Sequence, residues 1–241
     1  MNKTVLCAAV LLVGFTAACT AENGAAGGGG GGAAPAKPEV FGVAGYRGLT
    51  PGMSKDAALA TGKLATAPTS NLDGCADFSY VGGPAPDAAR MAAEDDAQRK
   101  ARELNAKADE LDKDTTRRKS AQEHADAAQV YADAAGASAT LAEKREARDK
   151  AFAAAGGASF GKDGLRELGA PAEAKTAEGI GAGSTVEELK KAYESRGLKL
   201  SEHTGRYQVE IADKAGWRFE FTATPDNKVG AVSIISSAKC T

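Results

Sequence analysis

One turn sequence occurs twice in this chain, and the rest is arranged around the two copies. Gly48-Leu49-Thr50-Pro51-Gly52-Met53-Ser54 returns as Gly179-Ile180-Gly181-Ala182-Gly183-Ser184-Thr185, and each copy leads into a short Ala/Lys/Glu-rich run. A glycine in each turn gives the backbone access to positive φ, and the closing Ser54 or Thr185 is placed to accept free N–H groups of a first helical turn. Glu188, three residues after Thr185, adds a capping box. The spacing predicts helices over 54–61 and 185–195, ended by Gly62 and Gly197 as left-handed caps. This is the signature of a duplicated structural unit. It is not a catalytic motif.

After its helix the second copy alternates strictly. Tyr207, Val209 and Ile211 alternate with Gln208 and Glu210; Trp217, Phe219 and Phe221 with Arg218 and Glu220; Val232 and Ile234 with Ala231 and Ser233. Period two over three runs, joined by Asp213-Lys214-Ala215-Gly216 and Pro225-Asp226-Asn227-Lys228, predicts an antiparallel meander. Val186, Leu189 and Tyr193 share one side of the helix and would pack on its apolar face, with Trp217 in the core. The polar face is left to water or to a partner. In the first copy, Phe41, Val43, Tyr46 and Leu49 form an apolar lead-in, 77–81 reads as a strand, and 158–160 and 164–168 read as two more around a Gly161-Lys162-Asp163 turn.

Between those strands the composition changes. Gly82-Gly83-Pro84-Ala85-Pro86 breaks the chain, Asp87 can cap a helix, and the stretch up to Ala155 has one glycine and no proline. Ala97, Ala101, Leu104, Ala108 and Leu111 keep a four-three spacing that makes a coiled-coil seam. The frame fails at the polar run 112–119, and a new stripe, Ala127, Val130 or Tyr131, Ala134 and Leu141, follows Ser120 and its capping partner Glu123. The reading is a helical hairpin turning near 112–118, kinked at Gly136, and semi-autonomous because alanine seams bury little area. The fold class expected is α+β: two tandem units of short helix on antiparallel meander, with a long helical hairpin inserted in the first. The boundaries are 1–19 for a signal segment, 20–40 for a tether, 41–83 and 157–175 for the first unit, 84–156 for the hairpin and 176–241 for the second unit.

The N-terminus reads as a targeting segment: Lys3, an apolar stretch over 5–15, then Thr16-Ala17-Ala18 before Cys19. The site resembles a bacterial lipobox, with Cys19 the acylated residue, although Thr16 stands where the lipobox usually has Leu. Ordinary signal-peptidase cleavage is the alternative. Gly27 to Gly32, Pro35 and Pro38 make the following stretch a tether that buries nothing. With Cys7 in the removed segment and Cys19 lipidated, Cys75 and Cys240 remain, and export makes a Cys75–Cys240 disulfide the expected pairing; the alternative is two free thiols.

The chain offers no assembled chemistry. His124 and His203 have no ligand-spaced neighbours and read as surface residues, so no metal is expected. No serine elbow with a histidine partner is present. Gly179-Ile180-Gly181-Ala182-Gly183 lacks the basic residue and βαβ setting of a phosphate loop, and Asp112-Lys113-Asp114 lacks the later positions of a calcium loop. Thirty Lys+Arg against 32 Asp+Glu, interleaved and without aromatic platforms, argues against nucleic acid. No catalytic residue and no cofactor is expected.

The duplicated unit of Gly-Met-Ser/Thr turn, short helix and meander resembles that of the SmpA/OmlA outer-membrane assembly lipoproteins and of the β-lactamase inhibitor proteins of filamentous actinobacteria. Gly52-Met53-Ser54 matches the turn signature directly, and Gly183-Ser184-Thr185 matches it with the methionine replaced. The run Thr176, Glu178-Gly179-Ile180 and Gly183-Ser184-Thr185 is similar to that of lipoproteins of high-GC Gram-positive bacteria. The likeness covers 46–81 and 158–240 and leaves the hairpin unmatched. It implies a fold rather than a contact surface. The function expected is a non-enzymatic protein-interaction module, exported and lipid-anchored at the outer face of the cell membrane, whose partner is an envelope or secreted protein. The alternative is an inhibitor of a secreted or envelope enzyme acting through its open sheet face.

Overall fold

A computed structural model describes residues 39–113, 120–238 and 240. Both copies of the turn do the same work. Gly52 and Gly183 sit at φ 87° and 85°, and the next residue, Met53 or Ser184, closes the turn with its N–H on Thr50 or Gly181. Ser54 then caps α1 (Lys55–Ala60), and Thr185 and Glu188 form the expected capping box on α4 (Val186–Tyr193). Gly197 ends the second helix in the left-handed conformation, after a single 3-10 turn. The Met53 carbonyl accepts the N–H of Leu165, and the Ser184 carbonyl accepts that of Val229, both at 2.7 Å. Each turn is therefore stitched to the last strand of its own unit.

Those strands are β3 (Gly164–Gly169) and β7 (Val229–Ser236), and they pair antiparallel with each other, Leu168 opposite Ile234. The first unit adds β1 (Ala76–Phe78) and β2 (Gly157–Gly161); the second adds β4 (Lys199–Leu200), β5 (Arg206–Glu210) and β6 (Trp217–Ala223). The result is one antiparallel sheet in the order β1-β2-β3-β7-β6-β5-β4, in which the units meet through equivalent strands. The fold is α+β, as the patterning implies, with a single shared interior. Phe41, Leu49, Phe160 and Leu168 of the first unit and Leu189, Tyr193, Phe221 and Ile234 of the second belong to one buried cluster. Trp217 packs against it while partly exposed.

Three details differ from expectation. The strand expected over 77–81 is Ala76–Phe78, because the chain leaves the ladder at Ser79 and Tyr80 bridges instead to Leu64. Val43 is 48% exposed at the tip of a tight turn closed by Gly42 and Gly45, so only Phe41, Tyr46 and Leu49 of the lead-in are core. The two-residue β4 carries no alternating pattern of its own and is held by pairing with β5.

The inserted hairpin is α2 (Ala88–Lys113) and α3 (Ala121–Ala155). Asp87 caps α2 through its carboxylate on the Arg90 N–H, and Ser120 with Glu123 forms the capping box of α3. Ala97, Ala101 and Ala108 face Ala127, Ala134 and Leu141 as buried seams, and Asn105 to Ser138 and Tyr131 to Asp112 cross-link the arms. α3 runs unbroken through Gly136, where no kink occurs, and α2 continues to Lys113; the rest of the expected turn falls mainly on 114–119, outside the described residues. Among the described residues no helix is long and apolar enough to cross a membrane. Cys19 and the tether up to residue 38 also lie outside them.

The hairpin is also less autonomous than its alanines suggest. Leu72, fully buried in a 3-10 turn before β1, fills the foot of the hairpin between Ala97, Ala101, Ala137 and Leu141. Around it, Arg145 makes two hydrogen bonds to Asp73 at 2.6 and 2.8 Å, Gln98 accepts the Asp73 N–H, and the buried Glu94 accepts from Ser70 and Arg90.

Candidate functional site

The polar residues of the strands share one face of the sheet, and the end of α3 folds back over half of it. In register across the sheet come Asp77 opposite Ser159, Ser159 opposite Glu167, Glu220 opposite Ser233, and Gln208 opposite Glu220. Above them the last turns of α3 bring Arg148, Asp149 and Phe152, enclosing with the strands a cavity of about 190 Å³. Gly169 permits this close approach: a Cβ there would lie 2.8 Å from the Phe152 ring.

The two halves of this face are wired differently. On the open half, Glu220 is 3% exposed, and its carboxylate receives Arg206 Nη1 at 3.0 Å, Gln208 Nε2 at 2.9 Å, and Nε and Nη2 of Arg218 at 2.9 and 2.7 Å. One carboxylate thus orders two guanidinium groups and an amide on adjacent strands. Under the roof the compensation is thinner. Asp77, 3% exposed, accepts the Ser159 hydroxyl at 2.6 Å, while Arg148 Nη1 stands 3.9 Å away. Burial raises the Asp77 carboxyl above the usual carboxylate range.

Glu167, half-buried between them, has the Ser233 hydroxyl as its hydrogen-bond donor, and burial pushes it up to about 7, with Asp77 and Glu220 adding to the rise. Arg166 opposes that rise, but its Nε donates to the Ala238 carbonyl at 2.8 Å. Arg148 Nε is buried without a hydrogen bond, being 2.8 Å from Asp149 Oδ1 but not aligned to it. Such groups, displaced by burial and sharing a cavity, are the usual physical marks of a working surface.

Of the residues singled out in the sequence, Cys75 and Cys240 come together as a disulfide with Cα atoms 4.9 Å apart, closing a sequence separation of 165. His124 and His203 are exposed and line none of this cavity. Among the described residues no group of three His, Cys, Asp or Glu is placed to hold a metal. Asp77, Arg148, Glu167 and Glu220 were not anticipated. For Asp77, Glu167 and Glu220 the signal was the polar phase of each strand, which by itself reads as solvated; what turns it into a site is the return of α3 with Arg148 over the face, and strand periodicity carries no trace of that.

Comparison with known proteins finds no match. No family model, no curated protein and no solved structure corresponds to this chain.

Proposed function

We propose that the chain is an exported, lipid-anchored protein of the cell envelope that works by holding a protein partner, without catalysing a reaction. The surface assigned to the partner is the polar sheet face beside α3. The observation that carries this reading is the Glu220 network, because Arg206, Gln208 and Arg218 are already fixed before anything binds, and pre-ordering lowers the entropy lost on association. Lipidation at Cys19 and the glycine-rich stretch after it would display that face at the membrane. The likeness to SmpA/OmlA and β-lactamase-inhibitor units is part of the same proposal. It is supported by the duplicated turn, the matched stitches at Leu165 and Val229, and the pairing of β3 with β7.

Two experiments test it. Cys19→Ser should move the protein from the membrane fraction to the medium; unchanged fractionation would count against lipid anchoring. A photo-cross-linker at Gln208 should trap a discrete envelope or secreted protein in cells, and the Arg206→Glu/Arg218→Glu double variant should lose it. Capture unaffected by the charge reversal would remove the sheet face as the binding surface. If the trapped partner is an enzyme whose activity falls on binding, the chain acts as its inhibitor.

A further inference from the structure

The cavity beside α3 is a trough across the sheet. Asp77 of β1 lines one end, and Thr222 of β6 and Arg206 of β5 line the other. These strands stand first, fifth and sixth in the sheet, so at about 4.8 Å per strand the trough crosses roughly 20 Å of the polar face. A volume of about 190 Å³ drawn out over that length admits one unbranched chain and excludes a globular ligand. The end of α3 lies against β3 and β7, whereas Thr222 is exposed and Ala231 half-buried. The mouth is therefore at Thr222 and Ala231, on the side of the face that carries the Glu220 network.

Inside the trough the donors are committed and the acceptors are not. Arg206 Nη1 is on Glu220, and Arg166, the extra residue of the bulge in β3, gives Nε to the Ala238 carbonyl. Arg148 Nε has no hydrogen bond, but Asp149 Oδ1 is 2.8 Å away on an exposed side chain, and a small rotation of that carboxylate completes the bond. Asp77 has no such neighbour. It is 3% exposed and accepts Ser159 at 2.6 Å through Oδ1, which leaves Oδ2 with Arg148 Nη1 at 3.9 Å, beyond hydrogen-bond reach. Glu167 has Ser233 as its donor and no cation within ion-pair distance among the described residues. Ser159 stands between the two in register, so the carboxylates flank one position above it. A buried anionic pair short of donors is completed by a cation that carries its own.

We propose that the trough receives a lysine side chain of the protein partner, which enters at Thr222 and Ala231 and sets its ammonium against Glu167, facing Asp77.

The shape selects lysine over arginine. A compact ammonium on four methylenes fits a narrow passage, and its three hydrogens match Glu167, Asp77 Oδ2 and the Ser159 hydroxyl. The stem has Ile235 and Phe152 as apolar walls. β3, which carries Glu167, is next to β7, so from Ala231 the stem crosses one strand spacing of about 5 Å. This rests on the polar face being the surface that holds a protein, and adds the residue by which that protein is recognised.

The test first reads the trough with no partner present. N-acetyl-lysine methylamide is titrated into the purified Cys19→Ser protein, and backbone amide shifts are followed by NMR. Saturable shifts are expected at Ser159, Glu167 and Ser233, with a Kd on the order of millimolar, as a ligand of about a dozen heavy atoms allows. The same probe acetylated on Nε should bind at least tenfold more weakly, and so should the parent probe to Asp77→Asn/Glu167→Gln. Thr222→Trp, which closes the mouth and keeps both carboxylates, should weaken binding equally and covers the case in which the double variant does not fold. Absence of saturable shifts, equal binding of the two probes, or unchanged affinity in either variant would overturn the proposal. In cells, Asp77→Asn/Glu167→Gln should lose the partner trapped at Gln208. Capture that persists while probe binding is lost would make a free amine the occupant and overturn the assignment to the partner. Failure of the parent to trap any protein at Gln208 would count against the binding reading and leave the titration unaffected.

Discussion

Burial moves the Glu167 carboxyl from 4.5 to about 7, and the direction of that change decides what the side chain does to stability. Below about 4.5 the group is protonated whether the chain is folded or not, and it costs nothing; above about 7 it is ionised in both states and the fold bears the full penalty. The ceiling of that penalty is about 3 kcal/mol. Because Glu167 still meets water, screening reduces the expected cost to roughly 1–2 kcal/mol. Glu167→Gln should therefore raise the urea midpoint at pH 8 and leave it nearly unchanged at pH 4.5. A variant less stable than the parent at pH 8 would mean that the ionised carboxylate is a net anchor, and the reading of its surroundings would be wrong. Asp73 runs the other way. Its hydrogen bonds to Arg145 hold its carboxyl below 3.8, so that pair stabilises above about pH 4 and is lost as pH falls through the lowered value. With Arg145 45% exposed, the pair contributes under about 1 kcal/mol, and it orients the hairpin more than it stabilises it.

At the scale of the elements, the hairpin's foot depends on one apolar side chain that its own sequence does not contain. Leu72 comes from the turn before β1 and is fully buried among Ala97, Ala101, Ala137 and Leu141, where small residues leave room for one large one. Leu72→Ala should cost about 2–4 kcal/mol. Hydrogen exchange should rise first in the facing turns of α2 and α3, while the sheet amides stay protected. Equal loss of protection in β6 and β7 would show that the hairpin and sheet unfold as one. This contact also explains what was legible in the sequence and what was not. The caps at Ser54, Thr185 and Ser120, the alternation of β5 to β7 and the alanine seams all depend on residues within a few positions of one another, and they appear where the pattern placed them. The docking of Leu72 under the hairpin and the return of Arg148 and Phe152 over Asp77 and Glu167 join residues of separate elements, from 15 positions apart (Phe152 and Glu167) to 75 (Asp77 and Phe152). No local periodicity encodes such a junction. Asp77 and Glu167 were accordingly readable as outward-facing strand residues but not as members of one cavity.

At the scale of the whole molecule, two long-range devices make the two copies one protein. The Cys75–Cys240 bond ties the start of β1 to the segment after β7, and its loss should cost about 2–5 kcal/mol. Intact mass before and after alkylation, followed by denaturant midpoints of Cys75→Ala/Cys240→Ala, checks this; two reactive thiols in the native protein would end the idea. The second device is the shared interior, and it is built without the hairpin. None of the residues of the main buried cluster comes from α2 or α3. The chain enters the insertion from β1 and leaves it into β2, which pair directly with Phe78 opposite Ala158. The hairpin thus occupies the connection of a two-stranded turn. In the second copy the same place, between β5 and β6, is held by a short turn in which the Lys214 N–H bonds the Ile211 carbonyl and the Trp217 N–H bonds that of Lys214. Replacing residues 84–155 by a short glycine-serine loop should therefore leave a cooperatively folded sheet with its disulfide formed. That core should be less stable than the parent, because excision strips the cover from Leu72. Adding Leu72→Ser should recover solubility without restoring stability. Loss of a cooperative transition in both versions would show that the inserted hairpin is part of the core, and that the first copy cannot hold its three strands without it.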